Sequence, residues 1–109
     1  MPKRRAALVA VPAIAALACA MPALAASKKT VDLGDNYFAP ESAKVAKGTT
    51  VTWNWTGTAP HNVTVVSGPQ RFRSSVQTSG TYSRRLTKVG TYDIVCTIHP
   101  GMEMKLKVR

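Results

Sequence analysis

The sequence predicts an all-β fold, an antiparallel sandwich or barrel built as a single domain. Beyond residue 26, apolar and polar residues alternate with period two, and no stretch of about ten residues shows the repeat of an amphipathic helix. Glycine and proline interrupt the alternation at short intervals, as turns do between short strands. The chain has 109 residues, which suffices for one small domain and no more.

The predicted strands follow one another from residue 30 to the end of the chain. The clearest spans 49–56, where β-branched and aromatic residues on one face alternate with polar residues on the other. Segment 36–40 is predicted to be a connection, because the proline that ends it has no N–H for a strand ladder. Segment 71–80 is predicted to be mainly a loop. The remaining predicted strands are 30–33, 44–46, 61–66, 81–86, 91–96 and 104–109.

Residues 1–25 are predicted to be a secretory signal peptide. Positive charges at 3–5 precede an uncharged apolar stretch at 6–21, and Ala-Leu-Ala at 23–25 has the form of a cleavage site. The apolar stretch is short for a membrane span, which needs roughly 20 residues. We therefore expect a mature domain at 26–109, periplasmic or secreted, with no stable membrane span.

Three other interpretations of the leader stay open. It can be a retained anchor, or the pair Arg4 and Arg5 can direct twin-arginine export, or Cys19 can carry a lipid. Two alanines directly follow the arginine pair, and the residues before Cys19 fit lipid attachment poorly. Export by the general pathway is the preferred interpretation.

The charge of the chain favours acidic partners. Loss of the leader reduces 15 basic residues to 12 against 5 acidic ones, which leaves a net charge of +7. Such a surface attracts acidic proteins, or an anionic membrane face, at long range. The basic residues are scattered, and export also argues against nucleic-acid binding. We expect a monomer that makes transient contacts with acidic redox proteins and binds no nucleic acid.

Segment 96–104, Cys-Thr-Ile-His-Pro-Gly-Met-Glu-Met, concentrates soft ligands in one turn. Cys96 is the only cysteine beyond the leader, so an exported chain carries a thiol without an internal disulfide partner. Thiolate, thioether and imidazole together suit copper, and two histidines, a cysteine and a weak axial methionine form the blue-copper arrangement. This segment supplies Cys96, His99 and a methionine. The second imidazole must come from His61, the one other histidine.

Two motifs resemble those of the cupredoxins. They are Pro-His-Asn-Val at 60–63 and the stretch 90–102, which ends in a C-x-x-H-x-x-M pattern. The resemblance is closest to small bacterial plastocyanin- and amicyanin-like proteins, and it extends to 38–40 and 48–53. It therefore covers essentially the whole predicted domain. It implies a Greek-key sandwich with one type 1 copper ion, which carries single electrons between larger redox proteins and is not an enzyme.

The resemblance also implies roles for individual residues. The implied copper ligands are His61, Cys96, His99 and, in the axial position, Met102. Asn62 is implied to tie its loop to the cysteine loop and to hydrogen-bond near the sulfur. Tyr92 resembles the tyrosine of the cupredoxin tyrosine corner, which is a structural role.

Two methionines compete for the axial position. The spacing of amicyanin-like proteins selects Met102, whereas the longer C-x-x-H-x-x-x-x-M spacing of pseudoazurin-like proteins would select Met104. Met104 shares the apolar face of the last strand with Leu106 and Val108, so a place in the core is a sufficient role for it. Met102 is therefore preferred, and Met104 is the less favoured alternative.

An exported electron carrier is the preferred function, with the edge of His99 reaching the surface. A periplasmic copper carrier or resistance protein, which passes on the ion rather than the electron, is the alternative; a bound thiolate argues against easy release. An enzyme with Cys96 as nucleophile would leave Met102 unexplained, and no motif places an orienting acid. Zinc is a poorer match than copper because of the soft methionine sulfur.

Overall fold

The computed structural model describes residues 27–109, which form two four-stranded sheets packed as a sandwich. The strand orders are β2-β1-β4-β6 in one sheet and β3-β8-β7-β5 in the other. The predicted all-β sandwich is confirmed, and the predicted signal peptide lies outside the described residues. The strands are β1 (Lys28–Gly34), β2 (Tyr37–Ala39), β3 (Ser42–Val45), β4 (Thr50–Trp55), β5 (Thr64–Ser67), β6 (Thr81–Arg85), β7 (Gly90–Val95) and β8 (Glu103–Val108). Within 27–109, no helix long and apolar enough to cross a membrane occurs.

Two strand pairings are parallel within the predicted antiparallel sandwich. Strand β1 runs parallel to β4, and β3 runs parallel to β8. The other pairings are antiparallel. A parallel pair needs a crossover between its strands, and here the chain crosses to the opposite sheet and back before it pairs. Alternation of side chains reports which face a residue occupies but not the direction of the neighbouring strand.

Strand β2 corrects the prediction that 36–40 is only a connection. Tyr37–Ala39 pairs antiparallel with β1 across a two-residue turn, Asp35-Asn36, whose second residue has a φ of 72°. Asparagine tolerates this left-handed conformation better than most residues. Pro40 follows the last paired residue, so it limits the length of this edge strand without preventing it.

The strand predicted at 61–66 begins later than expected, at Thr64. His61 instead forms an isolated antiparallel bridge with Gln77, in which each backbone N–H donates to the carbonyl of the other residue at 2.9 and 3.0 Å. Segment 71–80, predicted to be mainly a loop, contains no named strand and supplies this bridge. The loop 71–80 therefore fixes the backbone of His61 through these two hydrogen bonds.

The predicted inward faces form the core between the sheets. Burial alternates along β4, so that Trp53 is fully buried and its polar neighbours are not. The Trp53 Nε1–H donates to the Met104 sulfur at 3.4 Å, which links the two sheets through the middle of the core. The last three predicted strands also contribute buried residues to the core. These include Leu86, Tyr92, Ile94, Cys96, Leu106 and Val108.

Tyr92 closes the turn before β7. Its ring is buried, and its hydroxyl donates to the carbonyl of Lys88 at 2.7 Å and lies 3.0 Å from Oε1 of Gln70. Burial raises the pKa of Tyr92, so the hydroxyl remains a donor at any ordinary pH. This contact to a carbonyl four residues upstream is the expected tyrosine corner.

Replacement of Tyr92 by phenylalanine is expected to lower the free energy of unfolding by about 1 kcal/mol, because the Lys88 carbonyl loses its donor. Urea denaturation of the metal-free protein measures this change. Tyr82→Phe is the matched control, since Tyr82 packs on Trp53 and its hydroxyl makes no hydrogen bond within residues 27–109. An equal loss in both variants would contradict the role given to the Tyr92 hydroxyl.

Candidate metal centre

The connection between β7 and β8 folds back on itself at one end of the sandwich. The Cys96 N–H donates to the carbonyl of Met102 at 3.0 Å, and the Met102 N–H donates to the carbonyl of His99 at 3.1 Å. Gly101 makes the turn with a φ of 84°, a conformation that glycine adopts without a steric penalty. Cys96 and Met102 consequently face each other at the base of the loop, with His99 between them in sequence.

His61 reaches the same end of the sandwich from the loop after β4. Besides the bridge to Gln77, its carbonyl accepts the indole N–H of Trp55 at 3.1 Å. The side chain of His61 is fully buried. Hydrogen bonds on both sides of its backbone therefore fix this residue before any ligand arrives.

Three side chains with metal-binding atoms converge at this end. The Cys96 sulfur lies 3.9 Å from Nδ1 of His61 and 3.5 Å from Nδ1 of His99, and the two Nδ1 atoms are 3.1 Å apart. All three atoms lie within 4.8 Å of one another. His61 and Cys96 are buried, whereas His99 is half-buried. Two imidazole nitrogens and one thiol sulfur can thus share one ion, and this donor set suits copper.

The two methionines of the loop have different surroundings. Met102 is 1% exposed and is bonded through its backbone to both Cys96 and His99. Met104 lies in β8 opposite Ile94, and its sulfur accepts the N–H of Trp53. Of the two thioether groups, the Met104 sulfur already has a partner in the core.

Comparison with known proteins adds an independent observation. The family model of copper-binding proteins of the plastocyanin/azurin family matches residues 25–109. The chain belongs to this family, the cupredoxins. Together with the His61, Cys96 and His99 cluster, membership makes it a type 1 copper protein that transfers electrons, and not an enzyme.

Amicyanins are among the relatives of this cupredoxin. Amicyanin-alpha of Methylorubrum extorquens is 35% identical over 111 residues, which span 94% of this chain and 93% of that protein. Amicyanin of Paracoccus denitrificans is 34% identical over 82 residues, which span 72% of this chain and 63% of that protein.

Solved amicyanin structures share the fold. The oxidised form of a methionine-to-leucine variant has a TM-score of 0.67 and 32% identity, covering 74% of this chain and 81% of that one. The reduced form of a tryptophan-to-tyrosine variant has a TM-score of 0.69 and 31% identity, covering 79% of this chain and 86% of that one.

Asn62 joins the two loops of the cupredoxin site. Its Nδ2–H donates to the Thr97 hydroxyl at 2.8 Å, and its Oδ1 accepts the Thr97 N–H at 3.1 Å and the Thr64 hydroxyl at 3.1 Å. Thr97 directly follows Cys96. Because Asn62 follows His61 in the sequence, its bonds to Thr97 hold the His61 loop against the Cys96 loop.

Asn62→Ala is expected to lower the free energy of unfolding by about 1–3 kcal/mol, because it removes the three hydrogen bonds that this buried amide makes to Thr97 and Thr64. Urea denaturation measures this effect. Asn54→Ala on strand β4 removes the same amide from a half-exposed position and should change the stability by about 0.5 kcal/mol at most. A similar cost at both positions would argue against a special role for Asn62.

Asp35 contacts the site and was not predicted from the sequence. Its Oδ1 lies 3.1 Å from Nε2 of His61. The Ala59 N–H, His61 and the Thr58 N–H lower the pKa of Asp35 to about 2. The signal that was available is the Asp-Asn pair between two short alternating stretches, which is compatible with a two-residue hairpin turn. Because 36–40 was predicted to be a connection, the Asp35-Asn36 turn and the position of the Asp35 carboxylate were not predicted.

Proposed function

We propose that this cupredoxin holds one type 1 copper ion through Nδ1 of His61, the thiolate of Cys96 and Nδ1 of His99, with the Met102 sulfur as the axial ligand. The convergence of three donor atoms within 4.8 Å carries this proposal. When bound, copper supplies a one-electron couple between its cuprous and cupric states. The protein supplies ligands that are held by backbone hydrogen bonds and of which only His99 is half-buried rather than buried, so the site changes little during that exchange.

Met102 is the better axial candidate for two reasons. Its backbone is bonded to both Cys96 and His99, which keeps the residue beside the cluster. The Met104 sulfur is engaged by the indole of Trp53, and moving it would leave a buried N–H without an acceptor.

Electrons are proposed to enter and leave through His99. His61 is fully buried, whereas His99 is half-buried and is flanked by Ile98 and Pro100, which are exposed. Ile98 is 44% exposed, and with the exposed Pro100 and Gly101 it forms a small apolar rim beside His99. A small apolar contact of this kind permits close and brief docking.

The partners are proposed to be acidic redox proteins, and the compartment the periplasm. The net charge of +7 for residues 26–109 favours fast encounter with acidic surfaces.

Cleavage after Ala25 is proposed to release residues 26–109 as a monomeric domain. Mass spectrometry of the exported product tests the cleavage site, and the salt dependence of the rate of electron transfer to acidic and basic partner proteins tests the charge.

Copper loading of the metal-free protein tests the central proposal. We expect one equivalent of Cu(II) to give an intense blue absorption that reduction removes and reoxidation restores. A copper carrier would instead bind cuprous ion in a colourless site. The pairing of Met104 with Trp53 weakens that alternative, because it takes one of the two methionines out of a sulfur-rich cuprous site. A colourless protein after Cu(II) addition would contradict the electron-transfer assignment.

A further inference from the structure

Asp35 lies behind His61, on the side of the imidazole opposite the converging donor atoms. Its Oδ1 is 3.1 Å from Nε2 of His61, while Nδ1 of the same ring is the atom that faces Cys96 and His99. The Asp35 side chain is 43% exposed, and that of His61 is fully buried. The partly exposed carboxylate of Asp35 thus contacts the buried imidazole of His61.

The carboxylate is held in place by the loop that precedes His61. Its Oδ1 accepts the N–H of Ala59 at 2.9 Å and the N–H of Thr58 at 3.1 Å, and its Oδ2 accepts the Thr58 hydroxyl at 3.3 Å. The two-residue turn between β1 and β2 supplies the residue. Asp35 is therefore fixed relative to His61 by contacts that do not involve the imidazole.

This contact selects one tautomer of His61. An ionised carboxylate only accepts hydrogen bonds, so the ring nitrogen that faces it must carry the proton. With the proton on Nε2, Nδ1 keeps its lone pair on the side of the ring where Cys96 and His99 lie, and the lone pair is available to a metal. A carboxylate behind a ligating histidine also makes the imidazole a stronger donor.

We propose that Asp35 is a positioning residue for the His61 ligand, which fixes its tautomer and strengthens its preference for Cu(II) over Cu(I). The inference rests on the proposed function in that His61 must be a copper ligand. Negative charge and a more electron-rich imidazole both stabilise the higher oxidation state. Removal of Asp35 should therefore weaken Cu(II) binding more than Cu(I) binding.

Gly57 leaves the space that the carboxylate occupies. A Cβ at position 57 would overlap the carboxylate of Asp35 and would lie 2.9 Å from its backbone nitrogen. Glycine is thus needed at position 57 for a steric reason. A side chain there would displace Asp35 from His61 without changing the net charge of the protein.

Asp35→Ala and Asp35→Asn in the full domain test the proposal. For Asp35→Ala, the ratio of Cu(II) to Cu(I) association constants should fall about tenfold, which raises the reduction potential by about 59 mV for a one-electron couple. Asp35→Asn keeps an acceptor oxygen but loses the charge, so its shift should have the same sign and be smaller. The ratio is measured by competition with a cupric and a cuprous chelator and checked by voltammetry.

Asp93→Asn is the matched control. It removes one negative charge from an exposed pair with Lys105, at 2.6 Å, and leaves His61 untouched. Its effect on the ratio should stay within about twofold, because salt screens exposed charges. Gly57→Ala is the second variant and should shift the ratio in the same direction as Asp35→Ala while Asp35 is still present.

Nitrogen NMR of the metal-free protein supplies a readout that does not depend on copper. The His61 ring should carry its proton on Nε2 in the wild type, and the population of that tautomer should fall in Asp35→Ala. A ratio in Asp35→Ala that matches Asp93→Asn, or an unchanged tautomer, overturns the proposal. A wild-type protein that takes up no Cu(II) refutes the proposed function instead, and the tautomer then still tests the contact between Asp35 and His61.

Discussion

Replacement of Cys96 by serine is expected to abolish the blue absorption and to lower the Cu(II) affinity roughly 100-fold or more, beyond the range typical of residues that only support a ligand. In the proposed site the thiolate is the softest donor, and a bond from it to copper would give the site its colour. A serine hydroxyl does not ionise near neutral pH and is a hard donor. Titration with Cu(II), followed by absorption and by competition with a chelator, measures both effects.

The serine variant should still fold. Cys96 is 3% exposed, and serine has nearly the same size, so the change leaves no large cavity. Urea denaturation of the metal-free variant should therefore give a free energy of unfolding within about 1–2 kcal/mol of the wild type. A folded Cys96→Ser protein that keeps the colour would refute the ligand assignment.

Much of the site could be predicted because its residues are close together in sequence. Cys96 and His99 belong to one turn with the proposed ligand Met102, and the spacing of these residues indicates a copper site without any knowledge of the fold. His61 followed by elimination, since the chain has only two histidines. Strand alternation also predicted which side chains are buried, as Trp53, Leu106 and Val108 show.

The features that were missed depend on contacts between distant segments. Asp35 contacts His61 because β1 and β4 run parallel and end at the same edge of their sheet, which brings the turn after β1 next to the loop after β4. Local sequence patterns do not indicate this pairing. The bridge between His61 and Gln77 has the same origin, because an isolated pair of hydrogen bonds leaves no periodic signal. Strand direction was missed for a related reason, since alternation is identical in parallel and antiparallel strands.

Exchange of each loop methionine for leucine is expected to show which of the two is a copper ligand and which is a core residue. Met102→Leu should change the colour of the Cu(II) protein and raise the reduction potential by an amount on the order of 59 mV, a tenfold change in the preference for Cu(I). The weak axial thioether is one of the groups that tune the potential of such sites, and leucine offers no donor atom. Absorption spectroscopy and voltammetry of the loaded protein measure the change.

Met104→Leu is the matched partner of this variant, because the chemical change is the same and both methionines are at most 3% exposed. It should leave colour and potential unchanged. It should instead lower the free energy of unfolding by about 1 kcal/mol, because the buried N–H of Trp53 loses the sulfur that accepts it. Since each variant has its largest effect in a different measurement, a general loss of packing cannot produce the expected pattern. The reverse pattern, with the change of potential at Met104, would assign the axial position to that residue and would require the Trp53 contact to break when copper binds.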